Sequence, residues 1–437
     1  MLNILANRTY RHLFFAQVIA LVGTGLATVA LGLLAFELAG AQAGAVLGTA
    51  LAIKMIAYVT VAPIASAFTE RLPRRAMLVA LDLVRAAVAL LLPFVTEIWQ
   101  IYLLIFVLQS ASAAFTPTFQ ATIPDILPDE RDYTRALSLS RLAYDLESVV
   151  SPMLAAALLT VISFHNLFAG TVIGFLASAA LVLTVTLPNP KPPEPRGIYD
   201  RTTRGMRIYL ATPRLRGLLA INLAVASAGA LVIVNTVVYV QAAFGLDNRA
   251  TAMALAAFGG GSMIAALTLP GLLEKIPDRK AMLAGATLLC AGTLTAATLS
   301  SYAWLLPLWL VLGLGYSMAQ TPSGRLLKRS AHPEDRPALF AAQFALSHAC
   351  WLLAYPLAGW AGARLGLPAT AVILAVLSAI AIGLGVLVWP AEERETLEHS
   401  HDDLPADHPH LAGSAEDRQH IHAYIIDDMH PSWPMKG

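Results

Sequence analysis

Glu70-Arg71-Leu72-Pro73-Arg74-Arg75-Ala76-Met77-Leu78 returns later in the chain as Glu274-Lys275-Ile276-Pro277-Asp278-Arg279-Lys280-Ala281-Met282-Leu283, with one residue inserted. A second landmark also recurs. Thr116-Pro117 is followed downstream by Pro128-Asp129-Glu130-Arg131, and Thr321-Pro322 is followed at the same spacing by Pro333-Glu334-Asp335-Arg336. Two matched landmarks in the same order imply an internal duplication. The residues around them say what was duplicated. Of 437 residues, 57% are hydrophobic and 13% charged, about half the charged share of a typical soluble domain. Cys290 and Cys350 are the only cysteines, so a disulfide scaffold is excluded. The composition is that of a polytopic helical membrane protein.

A helix needs about 20 apolar residues to cross a bilayer. Twelve such runs are legible, near 12–39, 44–68, 76–95, 100–122, 136–163, 165–187, 215–243, 249–272, 281–300, 304–328, 338–363 and 367–390. They do not alternate as the strands of a membrane β-barrel would. The first runs straight into the second, so it is not read as a cleavable signal. The fold expected is an all-α membrane protein with twelve transmembrane helices in two pseudo-symmetric six-helix bundles. The bundles span 1–187 and 215–390. Between them, 188–214 is a linker that opens with Pro188, Pro190, Pro192, Pro193 and Pro195 and turns basic from Arg201 to Arg207. Residues 391–437 form a polar tail. With the N-terminus placed in the cytoplasm, all but five of the 29 Lys and Arg fall on the cytoplasmic side or in the linker and tail. The exceptions are Lys54, Arg85 and Arg141 inside spans and Arg249 and Arg364 in outer loops. By the positive-inside rule both termini are expected in the cytoplasm of a multi-pass inner-membrane protein.

At this point the chain resembles the major facilitator superfamily of transporters, over about residues 1–390. The stretch Ser66 to Arg75 is similar to that family's Gly-x-x-x-Asp-Arg-x-Gly-Arg-Arg loop, with Glu70, Arg71, Arg74 and Arg75 matching in charge and Ser66 and Pro73 replacing the glycines. Asp82-Leu83-Val84-Arg85, Phe115-Thr116-Pro117 and Gln120-Ala121 resemble the drug- and siderophore-exporter branch; Ser151-Pro152 stands where its antiporter signature ends Gly-Pro. The resemblance implies parallel six-span repeats with a substrate path between them, and a gate latch built from Glu70, Arg71, Arg74 and Arg75. It implies no catalytic residues and no enzyme activity.

Ionisable side chains at bilayer depth cost at least about 2.5–3.5 kcal/mol and are functional candidates by default. Asp82 and Arg85 are three apart and share a helical face; they read as a neutralised pair or as part of a gate. Arg141 and Asp145 are four apart and can also pair. Glu147 lies about 200° around the helix from Asp145, so one of the two acids is expected to face the central cavity, where a carboxylate serves proton coupling. Lys54 must pair or line water, with Asp145, Glu147 and Asp82 as candidate partners. His348 reads as a proton carrier, as a soft-metal ligand together with Cys350, or as a hydrogen-bonded histidine between helices. Gly259-Gly260-Gly261 allows close helix packing.

The tail holds seven of the chain's eleven histidines: His399, His401, His408, His410, His420, His422 and His430. Residues two apart in an extended chain point the same way, so each His-x-His pair can offer two imidazoles to zinc, nickel or copper. The tail resembles the His-rich C-terminus of nickel-resistance exporters in composition and position. The alternative is a solvated acidic tail, although the stretch from Ile425 to Trp433 is patterned for docking.

No Walker motif is present, so the leading reading is a secondary transporter, a proton-coupled exporter of a small drug- or siderophore-like molecule. Divalent transition-metal efflux is the alternative, and a membrane sensor that binds metal or a partner through its tail is a reading of another class. An aromatic, apolar cavity favours the organic substrate; converging His, Asp, Glu and Cys favour metal. The partners expected are the lipid bilayer and a small-molecule or metal-ion substrate, with no cofactor beyond a divalent metal on the tail, no nucleic acid, and a monomeric state.

Overall fold

In a bilayer every backbone N–H and C=O must be bonded within the protein, so apolar runs of this length become helices. The structure, a computed structural model, describes residues 2–39, 43–69, 72–188, 197–391, 396–400 and 419–434. The first half holds α1 (Arg8–Ala39), α2 (Ala43–Thr69), α3 (Arg74–Leu91), α4 (Ile98–Ile126), α5 (Glu130–Leu158) and α6 (Leu167–Leu183). The linker carries a short helix, α7 (Ile198–Ala211). The second half holds α8 (Pro213–Val237), α9 (Asn248–Leu273), α10 (Asp278–Thr295), α11 (Tyr302–Gln320), α12 (Ser323–Arg329), α13 (Arg336–Leu365) and α14 (Leu367–Val388). Ten of these segments are long and apolar enough in their own right to cross a membrane. Two further helices complete the bundles: α2, 27 residues long with Lys54 as its one charged side chain, and α5, which carries Arg141, Asp145 and Glu147.

The halves repeat each other in their main helix contacts. Within the first half α1 packs on α6 and α5, α4 on α2 and α3, and α3 on α6. Within the second, α8 packs on α14 and α13, α11 on α9 and α10, and α10 on α14. The two seams between the halves are also equivalent, α2 against α13 and α5 against α9. The duplication reaches single side chains. Arg74 at the start of α3 donates to the carbonyl of Pro188 beyond α6 at 3.2 Å. Arg279, its counterpart in α10, donates to the carbonyl of Trp389 beyond α14 at 3.0 Å.

Helix boundaries depart from the sequence reading where local chemistry intervenes. Pro117 lies within α4, but Pro322 ends one helix and precedes the next, so the tenth apolar run is divided into α11 and α12. The eighth run tolerates close packing at one of its glycines: a side chain at Gly261 would overlap the carbonyl of Leu310, and one at Gly313 that of Phe258, so α9 and α11 touch backbone to backbone. Gly260 meets nothing within 4 Å. The linker helix α7 is held by protein on one face. It packs against α13 and α2, with Arg204, Ile208 and Tyr209 buried and Tyr199 and Leu210 exposed.

The tail is partly folded. Strands β1 (Thr396–Ser400) and β2 (Gln419–Ala423) pair antiparallel, with position 399 opposite 420 and 397 opposite 422. Beyond β2 the chain docks on the second half, burying Tyr424 and Ile426 in the core shared by Leu215 and Trp389. A tail solvated throughout is therefore not what forms. His401, His408 and His410 lie outside the described residues, as do Glu70 and Arg71 of the expected gate.

Candidate functional site

Between the halves lies a cavity of about 560 Å³, within the range of about 300–1,000 Å³ that encloses drug-sized molecules. Its walls come from α1 to α6 on one side and α11, α12 and α13 on the other. Tyr58, Phe119, Tyr144, Tyr316, Phe344 and Trp351 give it aromatic faces; Gln17, Gln109, Gln320 and Gln343 give it amides. Four ionisable candidates line it: Lys54, Arg85, Arg141 and Glu147, joined by His348. Glu147 is the one carboxylate among its described lining residues.

The α5 charges divide as their spacing implies. Arg141 and Asp145 form an ion pair on one turn. Asp145 is buried and does not line the cavity, while Arg141 does. Arg141 also spans the seam: it donates to the Ser262 hydroxyl of α9 at 3.2 Å and lies over the Tyr316 ring of α11 at 4.6 Å. Glu147, on another face of α5, lies near enough to Lys54 for the two charges to act on each other. Lys54 also sits 5.5 Å from the centre of the Tyr58 ring, one helical turn away, and Tyr58 donates to Gln109 at 2.8 Å.

Close approach of α1 and α5 at this level depends on Gly25. A side chain there would collide with Ser151 and would stand 2.7 Å from Glu147 Oε1. The glycine expected on α5, where Ser151 stands, is thus replaced by one on α1. His348 bonds through Nδ1 to the carbonyl of Phe344 at 2.7 Å and packs edge-on against Tyr58, ring centres 4.7 Å apart. It is a histidine anchored between helices, with its ring at the cavity wall.

Asp82 and Arg85 do pair, and both are buried. Asp82 accepts from Ser178 of α6 at 2.8 Å. Arg85 is sandwiched by Phe115 and Phe175, at 3.9 and 4.5 Å from the ring centres. This pair stays within the first half. It is not among the ion pairs that join the halves.

Those pairs form a layer at the end of the bundle where the basic loops lie. Asp125 at the end of α4 accepts from Arg74 at 2.6 Å and, across the junction, from Arg336 at 2.5 Å. Arg325 of α12 reaches Glu130 at 2.9 Å, and Arg131 reaches Glu274 at 2.9 Å. Lys328 donates to the carbonyl of Pro128 at 2.5 Å. Asp278, the residue inserted in the second copy of the repeat, holds Arg329 at 2.5 Å and lies 3.3 Å from Arg325. Above this layer Tyr133, Leu327 and Phe340, all buried, make an apolar floor to the cavity. The cavity is closed at the basic end, and on its far side the lining residues Thr24 and Thr28 are exposed. Arg74 belongs to the layer; Arg75 is exposed.

In the tail, His430 is buried and bonds through Nδ1 to Asp427 at 2.8 Å, while His422 lies 5.1 Å from it, ring to ring. Burial alone would raise the Asp427 carboxyl, but hydrogen bonds from His332 and His430 hold it well below the usual carboxylate range. Among the described residues, no three His, Cys, Asp or Glu side chains converge as a metal site.

Besides Gly25, the residues of the site that the sequence reading did not single out include Asp125, Tyr58, Ser262 and Tyr316. Tyr58 carried a signal, since it stands four residues from Lys54 and so on the same face. The other three act across contacts distant in sequence.

Comparison with known proteins agrees with this architecture. The sequence model of the Major Facilitator Superfamily matches residues 13–240 and 217–413. Macrolide efflux protein A of Enterococcus faecalis is 25% identical over 152 residues, which is 32% of this chain and 47% of that protein. Macrolide efflux protein A of Streptococcus pyogenes is 25% identical over 33% of this chain and 36% of its own length. The chain thus spans about half, or less, of the curated relatives it matches. Among solved structures, the human organic anion transporter MFSD10 (TETRAN) superposes with a TM-score of 0.76 at 12% identity, covering 86% of this chain and 99% of that one. A point variant of the Escherichia coli fucose:proton symporter FucP gives 0.69 at 14% identity, covering 87% and 98%. At such identities these two likenesses concern the fold.

Proposed function

The chain belongs to the major facilitator superfamily of membrane transporters, and from that premise we propose that it is a proton-coupled exporter of an amphipathic organic molecule. The observation that carries the reading is the cavity: about 560 Å³, walled by aromatic rings and amides, with one lining carboxylate. A divalent metal would need several acids, imidazoles or thiolates converging on it; a flat or branched organic molecule needs rings to pack on and a few polar groups to orient it. The relatives named for macrolide efflux point the same way. The basic end is cytoplasmic by the distribution of Lys and Arg, so the conformation described here faces outward.

Glu147 is the proton site in this reading. Ionised, it balances Lys54 across the cavity and attracts a cationic or polar group of the substrate. Protonated from the outer side, it withdraws that attraction and leaves Lys54 uncompensated, which expels a cationic substrate outward. Deprotonation toward the cytoplasm resets the site. Reconstituted into vesicles, Glu147→Gln is expected to lose pH-gradient-driven transport of a macrolide or cationic dye by at least tenfold while still reaching the membrane. Gradient-driven transport at the wild-type rate in this variant would refute the coupling.

A second reading concerns the tail, as a divalent-metal binder that modulates transport. One observation favours it: the strand register sets position 399 opposite 420, both histidine, with His422 two residues further along the same strand. Calorimetry of the full chain with nickel or zinc at neutral pH should show micromolar binding that disappears when the chain is ended after Glu393. Equal binding by both forms removes this reading.

A further inference from the structure

The cations that close the basic end come mainly from one short segment, residues 325–336, and that segment is supported from behind by the last described stretch of the tail. Arg325, Lys328 and Arg336 all reach across to the first half. On the opposite side of the same segment, His332 Nε2 lies 3.4 Å from Asp427 Oδ2. Asp335, which precedes α13, is gripped by Arg204 of the linker helix through two bonds of 2.5 and 2.8 Å, and the same guanidinium reaches Asp428 at 2.6 Å. Arg214 at the start of α8 lies 5.5 Å from the Trp433 ring centre and donates to Ser330 at 2.7 Å and to the carbonyl of Arg329 at 3.0 Å. Two linker arginines therefore each touch the gate segment and the tail at once.

The docked stretch has its own internal order. Asp427 Oδ1 accepts from the backbone N–H groups of Met429 and His430 at 2.9 and 2.8 Å, and Tyr424 closes the loop by donating to the Ser432 carbonyl at 2.8 Å. Tyr424 and Ile426 are anchored in the core of the second half. The linker helix that the strap grips sits under the seam, against α2 of one half and α13 of the other. At Gly205 it lies so close to α13 that a side chain would overlap the carbonyl of Ala338. Opening of the basic end separates α2 from α13, and α7 cannot follow both.

We propose that residues 424–433 form an autoinhibitory strap, which holds the linker helix and the 325–336 segment in the geometry that keeps the basic-end gate closed and whose release favours opening. Such a strap makes the tail a control element whatever the transported molecule is. Anything that binds the tail and draws this stretch away would speed exposure of the cavity on the basic side.

The test uses the full chain with Cys290 and Cys350 replaced by alanine and spin labels at Arg75→Cys and Lys280→Cys. Both positions are exposed at the basic end, one in each half. Electron–electron distance measurements in lipid nanodiscs are expected to give mainly a short distance. Asp428→Asn combined with Trp433→Ala should raise the long-distance population at least threefold, as should ending the chain after Glu393. If the shortened chain does not fold, the two point substitutions carry the test alone. Variants that remain monodisperse yet show an unchanged distribution, or one shifted toward the short distance, overturn the strap.

Discussion

Gly25 is the point at which a missing side chain makes the site. The α5 backbone offers Ser151 and Glu147 to α1, and only a hydrogen at position 25 leaves room for both. Overpacking a close contact costs about 1–3 kcal/mol, enough to displace α5 and with it the carboxylate facing Lys54. Gly25→Ala is therefore expected to lower gradient-driven efflux about tenfold or more. Adding Ser151→Gly to that variant removes the two nearest atoms the new methyl meets, leaves only the movable end of Glu147, and should restore most of the loss. Dye-efflux rates of the two variants decide the matter: a single variant as active as wild type, or a double variant no better than the single, counts against the notch. The pairings Asp82 with Arg85 and Arg141 with Asp145 were legible from spacings of three and four. Which of Asp145 and Glu147 lines the cavity was not, because that depends on how α5 is rotated against α1, and Gly25, a residue on another helix, sets the rotation.

At the level of elements, the gate is a meeting of helix ends. Asp125 terminates α4, Arg74 opens α3 and Arg336 opens α13, so one carboxylate holds two guanidiniums that approach from different halves. The group is mostly buried, with 13% of the Asp125 side chain exposed. Removing one member of such a cluster leaves uncompensated charge, at a cost of about 3–5 kcal/mol. Asp125→Asn is expected to shift the conformational balance more than tenfold toward an open basic end. A cysteine at Leu137, on the cavity wall behind the floor, reports this through labelling by a membrane-impermeant thiol reagent applied from the basic side. Labelling no faster than in the Asp125 parent would show that the carboxylate does not hold the gate. Asp125 escaped the sequence reading because its partner Arg336 is 211 residues away. The repeat drew attention to the loops after α2 and α9, whereas the anion that gathers the cations stands at the end of α4.

At the scale of the whole molecule, the duplication explains most of the architecture, and the departures from it carry the specialisation. Two matched landmarks and a proline-rich linker were enough to read two six-helix bundles, since bilayer thickness sets the helix length and the absence of water forces helices. The docked tail is different. Its anchors, Tyr424, Ile426 and Trp433, are few and set in a polar stretch, and the surface that receives the stretch is built from α7, α8 and the segment before α13, which come together only in the fold. The inserted Asp278 is another departure, giving the second half an anion that the first copy of the repeat lacks. The two seams, equivalent by descent, have also drifted apart in chemistry. The α2–α13 seam is lined by Ala62, Ala341 and Phe344 with Tyr58 and Val61 beside them, whereas the α5–α9 seam is crossed by Arg131–Glu274 and Arg141–Ser262. Dissolved salt screens the exposed Arg131–Glu274 pair far more than the mostly buried Arg336–Asp125 pair on the α13 side. The protein is thus a door with a greased jamb and a magnetic one: ionic strength loosens the catch along one edge first, and the motion it releases is a lopsided swing in place of an even parting.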